Sequence, residues 1–146
     1  MVLGLGLALG MGLGALIAEL GVKQEIVTGH DFRGYSASIK YALISGLMAA
    51  GCKVHDIGLA VTPMAYFAQF DLDVPCVAMV TASHNDNGWT GVKMGANRPL
   101  TFGPDEMTRL KMAGGLSGFQ TTREHLPDAL RLLAHVMKEA SFPADE

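Results

Sequence analysis

The segment 81–95, TASHNDNGWTGVKMG, gathers a hydroxyl, an imidazole and an amine between small residues. A serine that carries a phosphoryl group needs backbone N–H donors and a nearby cation to hold a dianionic ester. Gly88 lets the backbone bend around such a group, and Lys93 and Arg33 could supply the positive charge. The residue types in this segment therefore allow phosphoryl chemistry at Ser83.

Hydrolytic chemistry fits the same residues less well. Adjacent side chains on an extended backbone point apart, so Ser83 and His84 are not expected to pair, and the sequence has no G-x-S-x-G motif. A plain structural alternative stays open, because residues 85–88 are ordinary turn-formers and Ser83 could bond its own backbone. His30 and Asp31 suggest a metal pair only faintly, since no third ligand has a useful spacing.

The composition indicates one soluble domain. The chain of 146 residues is long enough for a real core, and its formal net charge of -3 predicts no nucleic-acid partner. Cys52 and Cys76 each lie beside a hydrophobic run and outside any CxxC motif. We expect both cysteines to be buried, reduced thiols of a cytoplasmic protein.

The N-terminal segment, MVLGLGLALGMGLGALIAEL, is almost wholly apolar and places Gly6, Gly10 and Gly14 in a GxxxGxxxG pattern. Such a pattern can pack membrane helices, and a small membrane protein is one alternative. No Lys or Arg precedes the run, and its glycines lower helix propensity. We therefore expect a helix that lies close against a sheet, with no membrane partner. Exposed apolar patches could also favour self-association.

Strand and helix patterns alternate along the chain. Strands are predicted at residues 25–28, 52–59, 74–80 and 91–95, and the third has the continuous apolar character of a central parallel strand. Helices are predicted between them, with Ser36 or Ser38 as one N-cap, Thr62 as another, and a further helix from Gly103. This order predicts a three-layer α/β/α sandwich with a mostly parallel mixed sheet.

Functional loops of such a sheet gather at the carboxyl ends of its strands. The segments GHDFRGYS, GLAVTP and TASHNDNG all lie at predicted strand ends. We expect these three segments to meet at one edge of the sheet.

The segment 81–95 resembles the phosphoserine loop of the α-D-phosphohexomutases, the phosphoglucomutase/phosphomannomutase superfamily, whose signature is T-[AG]-S-H-N-P followed by an N-G-[FYW]-K-type return. GHDFRGYS, AAGCKVHDIGLAVTPMAYFA and TFGPDEM resemble further family segments in the same order. The resemblance covers about residues 8–111. It implies a phosphohexomutase domain I over residues 1–115, followed by a C-terminal helical tail, 116–146, without a family counterpart.

The resemblance also implies roles for individual residues. Ser83 would carry the phosphate that a phosphomannomutase/phosphoglucomutase moves between the 1- and 6-positions of a hexose. Lys93 corresponds to a lysine near the transferred phosphate, His84 to a histidine that arranges the phosphoserine and substrate, and Arg33 to an arginine that adds positive potential. The residues expected to bind substrate or support the loop are Asn85, Thr81 and Trp89.

The cofactors implied by the family are Mg2+, with one ligand from the Ser83 phosphate, and glucose or mannose 1,6-bisphosphate as activator. The family's magnesium-binding aspartates and sugar-recognition loop belong to later domains and have no counterpart in this sequence. We therefore expect an N-terminal domain with little turnover alone, whose partners are a hexose phosphate and the missing mutase domains. Asp86 stands where the family has proline. A non-enzymatic remnant or interaction module of the same fold is the alternative.

Overall fold

Helices and strands alternate in the computed structural model, which describes residues 2–98 and 101–113. The elements are α1 (Val2–Glu19), β1 (Glu25–His30), α2 (Ser36–Ala49), β2 (Lys53–Leu59), α3 (Thr62–Asp71), β3 (Cys76–Val80), β4 (Val92–Gly95) and α4 (Pro104–Ala113). The predicted C-terminal helical tail, residues 116–146, lies outside the described residues.

The four strands form one mixed sheet in the order β2-β1-β3-β4. β1 pairs in parallel with both β2 and β3, and β4 pairs antiparallel to β3. All five residues of β3 are buried, as predicted for a central strand. β1 continues beyond residue 28, the end of its predicted range, because Gly29 and His30 still pair with β3.

Successive side chains of the strands point to opposite faces of the sheet and pack into two separate hydrophobic cores. Ile26, Cys76 and Ala78 pack with residues of α1, α2 and α4 on one face. Val27 and Val77 pack with α3 on the other face. The predicted three-layer α/β/α architecture is therefore confirmed.

The capping predictions for two helices were wrong. Tyr35 is the N-cap of α2 and Val61 is the N-cap of α3, and neither forms a side-chain capping hydrogen bond. Ser36 lies inside α2 and donates its hydroxyl to Asp31 Oδ1 at 2.6 Å. Because Ser36 is already the first residue of α2, its hydroxyl is not in the capping position before the helix.

The glycine stripe of α1 packs against α2, whereas the sequence had suggested packing against the sheet. A Cβ atom added at Gly10 would overlap the carbonyl oxygen of Leu43, and one added at Gly46 would overlap the carbonyl oxygen of Leu7. The two backbones thus approach each other more closely than any side chain allows. Within the described residues, no helix combines the length and apolar character needed to cross a membrane.

This close approach predicts a strong effect of a single methyl group. Gly10→Ala should lower the free energy of unfolding by about 1–3 kcal/mol, because the methyl group must push the helices apart. Gly4 is on the same helix with nothing within 4 Å of an added Cβ, so Gly4→Ala is the matched control. That control should be neutral or stabilising by up to ~1 kcal/mol. Urea unfolding measures both, and equal effects would contradict the packing.

The two cysteines are free and buried, as predicted. Burial raises the pKa of the Cys52 thiol. Burial, with a smaller contribution from Cys52, raises the pKa of Cys76 to about 12. Both thiols are therefore protonated at neutral pH and are poor nucleophiles.

Candidate active site

The candidate phosphate-accepting serine lies in the loop that follows the central strand β3. Ser83 is exposed and has a φ of +56°, in the left-handed region that residues with a side chain rarely adopt. The Ser83 N–H donates to Thr81 Oγ1 at 2.9 Å, which supports this conformation locally. Strained residues of this kind cluster at functional sites, where the surrounding structure must hold them.

The side chains of Ser83 and His84 approach each other, contrary to the expectation that they would point apart. Ser83 Oγ lies 3.5 Å from His84 Nδ1. The expectation assumed an extended backbone, whereas the left-handed turn at Ser83 rotates the two side chains toward one side. At this distance the contact is at the outer limit of a hydrogen bond.

Asp31 anchors the beginning of the loop. Its Oδ1 accepts the Ser36 hydroxyl at 2.6 Å and the Arg33 N–H at 3.2 Å. Its Oδ2 accepts the Ala82 N–H at 3.3 Å and forms an ion pair with the Arg33 guanidinium. Only 6% of Asp31 is exposed. A buried carboxylate with four donors therefore fixes the residue next to Ser83.

The protonation state of Asp31 follows from these contacts. Burial raises the pKa of the carboxyl group, but hydrogen bonds from Ser36 and Arg33 contribute to a larger opposing effect, and the pKa lies below its ordinary value. Asp31 is therefore ionised at neutral pH. The hypothesis that His30 and Asp31 bind a metal ion is not supported, since the described residues contain no group of three candidate ligands.

Arg33 connects Asp31 to Asn85, at the end of the first half of the loop, residues 81–85. Its second terminal nitrogen donates to the carbonyl oxygen of Asn85 at 2.5 Å. The Asn85 N–H in turn donates to the carbonyl oxygen of Ala82 at 3.0 Å. Asn85 thus supports the loop through its backbone. Because Arg33 is 7% exposed and paired with Asp31, much of its charge is compensated within the protein.

Tyr35 holds the second half of the loop. Its hydroxyl donates to the carbonyl oxygen of Trp89 at 2.6 Å and accepts the Gly88 N–H at 3.0 Å. Gly88 has a φ of +108°, which a side chain would strain. Sequence reasoning singled out the segment GHDFRGYS but missed Tyr35 and the anchoring role of Asp31. Nothing in the segment shows which of its side chains turn toward a loop some fifty residues away.

Lys93 lies on β4, immediately beyond the loop. It pairs with Met79 of β3 and is half-buried. The Thr81 N–H donates to the carbonyl oxygen of Gly91 at 3.0 Å, so the two strands stay paired at the base of the loop. Hydrogen bonds join Ser83 to Thr81 and His84, and they join Arg33 to Asn85. Trp89 is held through Tyr35. Lys93 is connected to the loop through the pairing of β4 with β3. It forms no ion pair with another described residue.

Comparison with known proteins identifies the family of this domain. The family model "Phosphoglucomutase/phosphomannomutase, alpha/beta/alpha domain I" matches residues 5–113. The chain therefore belongs to the phosphoglucomutase/phosphomannomutase family, which confirms the resemblance. A "Probable phosphoglucosamine mutase" of Pyrococcus furiosus is 37% identical over 107 residues, which are 73% of this chain and 23% of that protein. A phosphomannomutase of Escherichia coli is 45% identical over 82 residues, 56% of this chain and 18% of that protein.

A solved structure shares the fold. A phosphoglucomutase/phosphomannomutase family protein of Burkholderia thailandensis superposes with a TM-score of 0.69 at 27% identity. The superposition covers 77% of this chain and 26% of that one. The chain thus spans about a quarter or less of the length of these relatives.

Proposed function

We propose that this chain carries the phosphoserine half-site of a hexose-phosphate mutase, an isomerase that works as an intramolecular phosphotransferase. Ser83 takes a phosphoryl group from a hexose bisphosphate and returns it to a hexose monophosphate. The observation that carries the proposal is the exposed hydroxyl of Ser83, held in a left-handed conformation at the carboxyl end of the central strand. Membership of the family supports the reaction class.

The proposed step is a displacement at phosphorus. Ser83 Oγ forms a bond to the phosphorus, the bond between phosphorus and the sugar oxygen breaks, and the sugar oxygen gains the proton that Ser83 loses. His84 Nδ1, 3.5 Å from Ser83 Oγ, is placed to take this proton from Ser83 before it passes to the sugar oxygen. Lys93 would stabilise the charge on the transferred group or move a proton at the sugar oxygen.

The proposed substrates belong to one class, the hexose phosphates. The relatives are named for glucosamine phosphate in one case and for mannose phosphate in the other. Mannose and glucose phosphates are the substrates that the sequence resemblance suggests, and the glucosamine relatives add a third. The proposed role of this domain is to present the phosphate-accepting hydroxyl, and we propose that residues outside it choose among these sugars.

Magnesium does not fit the described residues on their own. They contain no group of three carboxylate, histidine or cysteine side chains that could hold a metal ion. Asp31, the carboxylate that contacts the loop backbone, already accepts hydrogen bonds from Ser36, Arg33 and Ala82. We propose only that a phosphate on Ser83 offers Mg2+ one oxygen ligand, and that any further ligands come from other domains.

The uptake of phosphate tests the proposed function. Incubation with glucose 1,6-bisphosphate should add the mass of one phosphate group to the full chain, because Ser83 is exposed and its loop is already formed. Ser83→Ala, the matched control, should remain unmodified. Intact-mass spectrometry measures both, and mannose 1,6-bisphosphate should serve as a second donor. Multiple-turnover mutase activity is expected to stay low, because one domain cannot enclose a sugar and exclude water.

A second candidate function, an interaction module without catalysis, has one observation in its favour. Large apolar side chains are exposed on α3 and on the residues that flank it: Leu59, Val61, Met64, Phe67, Phe70 and Leu72. Exposed apolar patches commonly mark sites of protein–protein contact, including self-association. A wild-type chain that takes up no phosphate from either bisphosphate would favour this alternative.

A further inference from the structure

The loop consists of two halves that are held by different residues. The first half, 81–85, is bound by Asp31 and Arg33 through Ala82 and Asn85. The second half, 86–91, is called the return limb here. In the described part of the chain, side-chain hydrogen bonds reach the return limb from Tyr35 alone, at Gly88 and Trp89.

The position of the Tyr35 hydroxyl is set by the protein core. The Tyr35 ring packs against the core formed by α1, α2 and the sheet. The residue is also the N-cap of α2, so its backbone is fixed by the start of that helix. The rigid ring thus presents one hydroxyl that donates to Trp89 and accepts from Gly88. The hydroxyl therefore acts both as a hydrogen-bond donor and as an acceptor.

We infer that Tyr35 is a positioning residue for phosphoryl transfer at Ser83, an inference that rests on the proposed function. By holding Gly88 and Trp89, the Tyr35 hydroxyl fixes the return limb of the loop that carries Ser83. The single segment 31–36 then fixes both halves of the loop, the first through Asp31 and Arg33 and the second through Tyr35. Geometry of this kind lowers the barrier because the reacting groups are placed before the substrate binds.

The return limb carries its own spectroscopic probe. The chain contains one tryptophan, Trp89, and its carbonyl oxygen accepts the Tyr35 hydrogen bond. Without the hydroxyl, the limb should open more often and expose the indole to solvent. Quenching of Trp89 fluorescence by acrylamide therefore reports the state of the limb independently of any reaction.

The test compares Tyr35→Phe with two other tyrosine substitutions in the full 146-residue chain. Tyr41→Phe removes an exposed hydroxyl from α2, and Tyr66→Phe removes one from the half-buried ring on the opposite side of the sheet. Tyr35→Phe should slow phosphate uptake from glucose 1,6-bisphosphate by about tenfold, the effect of one lost hydrogen-bond pair. Its acrylamide quenching should rise, while both control variants match the wild type.

A second measurement separates the hydrogen bond from a general loss of folding. The chain has three tyrosines, so the double variant Tyr41→Phe, Tyr66→Phe leaves Tyr35 as the only one. Replacing it with 3-fluorotyrosine retains the hydroxyl at neutral pH but lets it ionise at lower pH than tyrosine does. Once ionised, the oxygen cannot donate to Trp89. Quenching should therefore rise with pH in the fluorinated chain earlier than in the unfluorinated one, while the fold stays intact.

The outcomes distinguish this inference from the proposed function. Normal uptake and normal quenching in Tyr35→Phe would overturn the inference and leave the role of Ser83 standing. A wild-type chain that takes up no phosphate would overturn the proposed function and with it the catalytic part of the inference. In that case, unchanged quenching would also reject Tyr35 as the residue that holds the limb, whereas increased quenching would retain it.

Discussion

Asp31→Asn should lower the free energy of unfolding by about 3 kcal/mol at neutral pH, because it leaves the buried Arg33 guanidinium without its partner. An amide of the same size cannot supply the negative charge, and its nitrogen must face either the donor from Ser36 or the donor from Ala82. The first half of the loop should then lose its fixed position. Urea unfolding gives the stability, and the uptake of phosphate should fall in parallel.

Asp73→Asn is the matched control for this substitution. Asp73 also forms an ion pair with an arginine, Arg98, at 2.7 Å, but 84% of its side chain is exposed. A pair screened by solvent contributes little, so the control should cost less than about 1 kcal/mol. If the two asparagine variants lost equal stability, the anchoring role of Asp31 would be wrong.

The effect of Asp31→Asn should also depend on pH. Burial raises the pKa of Asp31, but its hydrogen bonds bring it below the ordinary value. A lowered folded-state pKa means that the contribution is complete above the unfolded-state pKa of about 3.9 and is lost as the pH falls through the folded-state value. The stability difference between wild type and Asp31→Asn should therefore shrink below about pH 4. Urea unfolding at neutral and acidic pH measures this difference.

Ser83→Gly should abolish phosphate uptake and yet give a more stable chain than Ser83→Ala. Both substitutions remove the hydroxyl, so neither variant can carry the phosphate. The φ of +56° at this position costs a residue with a Cβ about 1–2 kcal/mol, and glycine avoids that cost. After allowance for the greater freedom of glycine in the unfolded chain, the advantage over alanine should be about 1 kcal/mol.

The control for the glycine effect lies in a helix. Ser38 is exposed within α2, where glycine is less favourable than alanine by up to ~1 kcal/mol. The order of stability of the glycine and alanine variants should therefore reverse between positions 83 and 38. Thermal or urea unfolding of the four variants measures this order of stability. The same order at both positions would mean that Ser83 is not held in a left-handed conformation.

The sequence was sufficient to predict the layers of this fold, because they follow from local patterns. The alternation of strand and helix signals and the fully apolar segment before Thr81 predicted the sheet, with its central strand, correctly. Strand ends were predicted to within two residues. The family motif also lay in one continuous segment, so it could be read without knowledge of any distant contact.

Most of the features that the sequence did not reveal depend on contacts between distant residues. Asp31 meets Ala82 and Tyr35 meets Gly88, each across about fifty residues, and no periodic pattern records such pairs. Ser36 has the residue type of a helix cap, but it is the first residue inside α2 and its hydroxyl donates to Asp31. The glycines of α1 predicted close packing of this helix, but they did not show that it packs against α2.

The central claim is that Ser83 passes a phosphoryl group on instead of merely being modified. The most direct measurement loads the chain with labelled phosphate from a hexose bisphosphate, removes the donor, and adds an excess of unlabelled hexose monophosphate. The account predicts that label leaves Ser83 and appears in newly formed hexose bisphosphate. Label that stays on the protein under these conditions, or that is found on any residue other than Ser83, would contradict it.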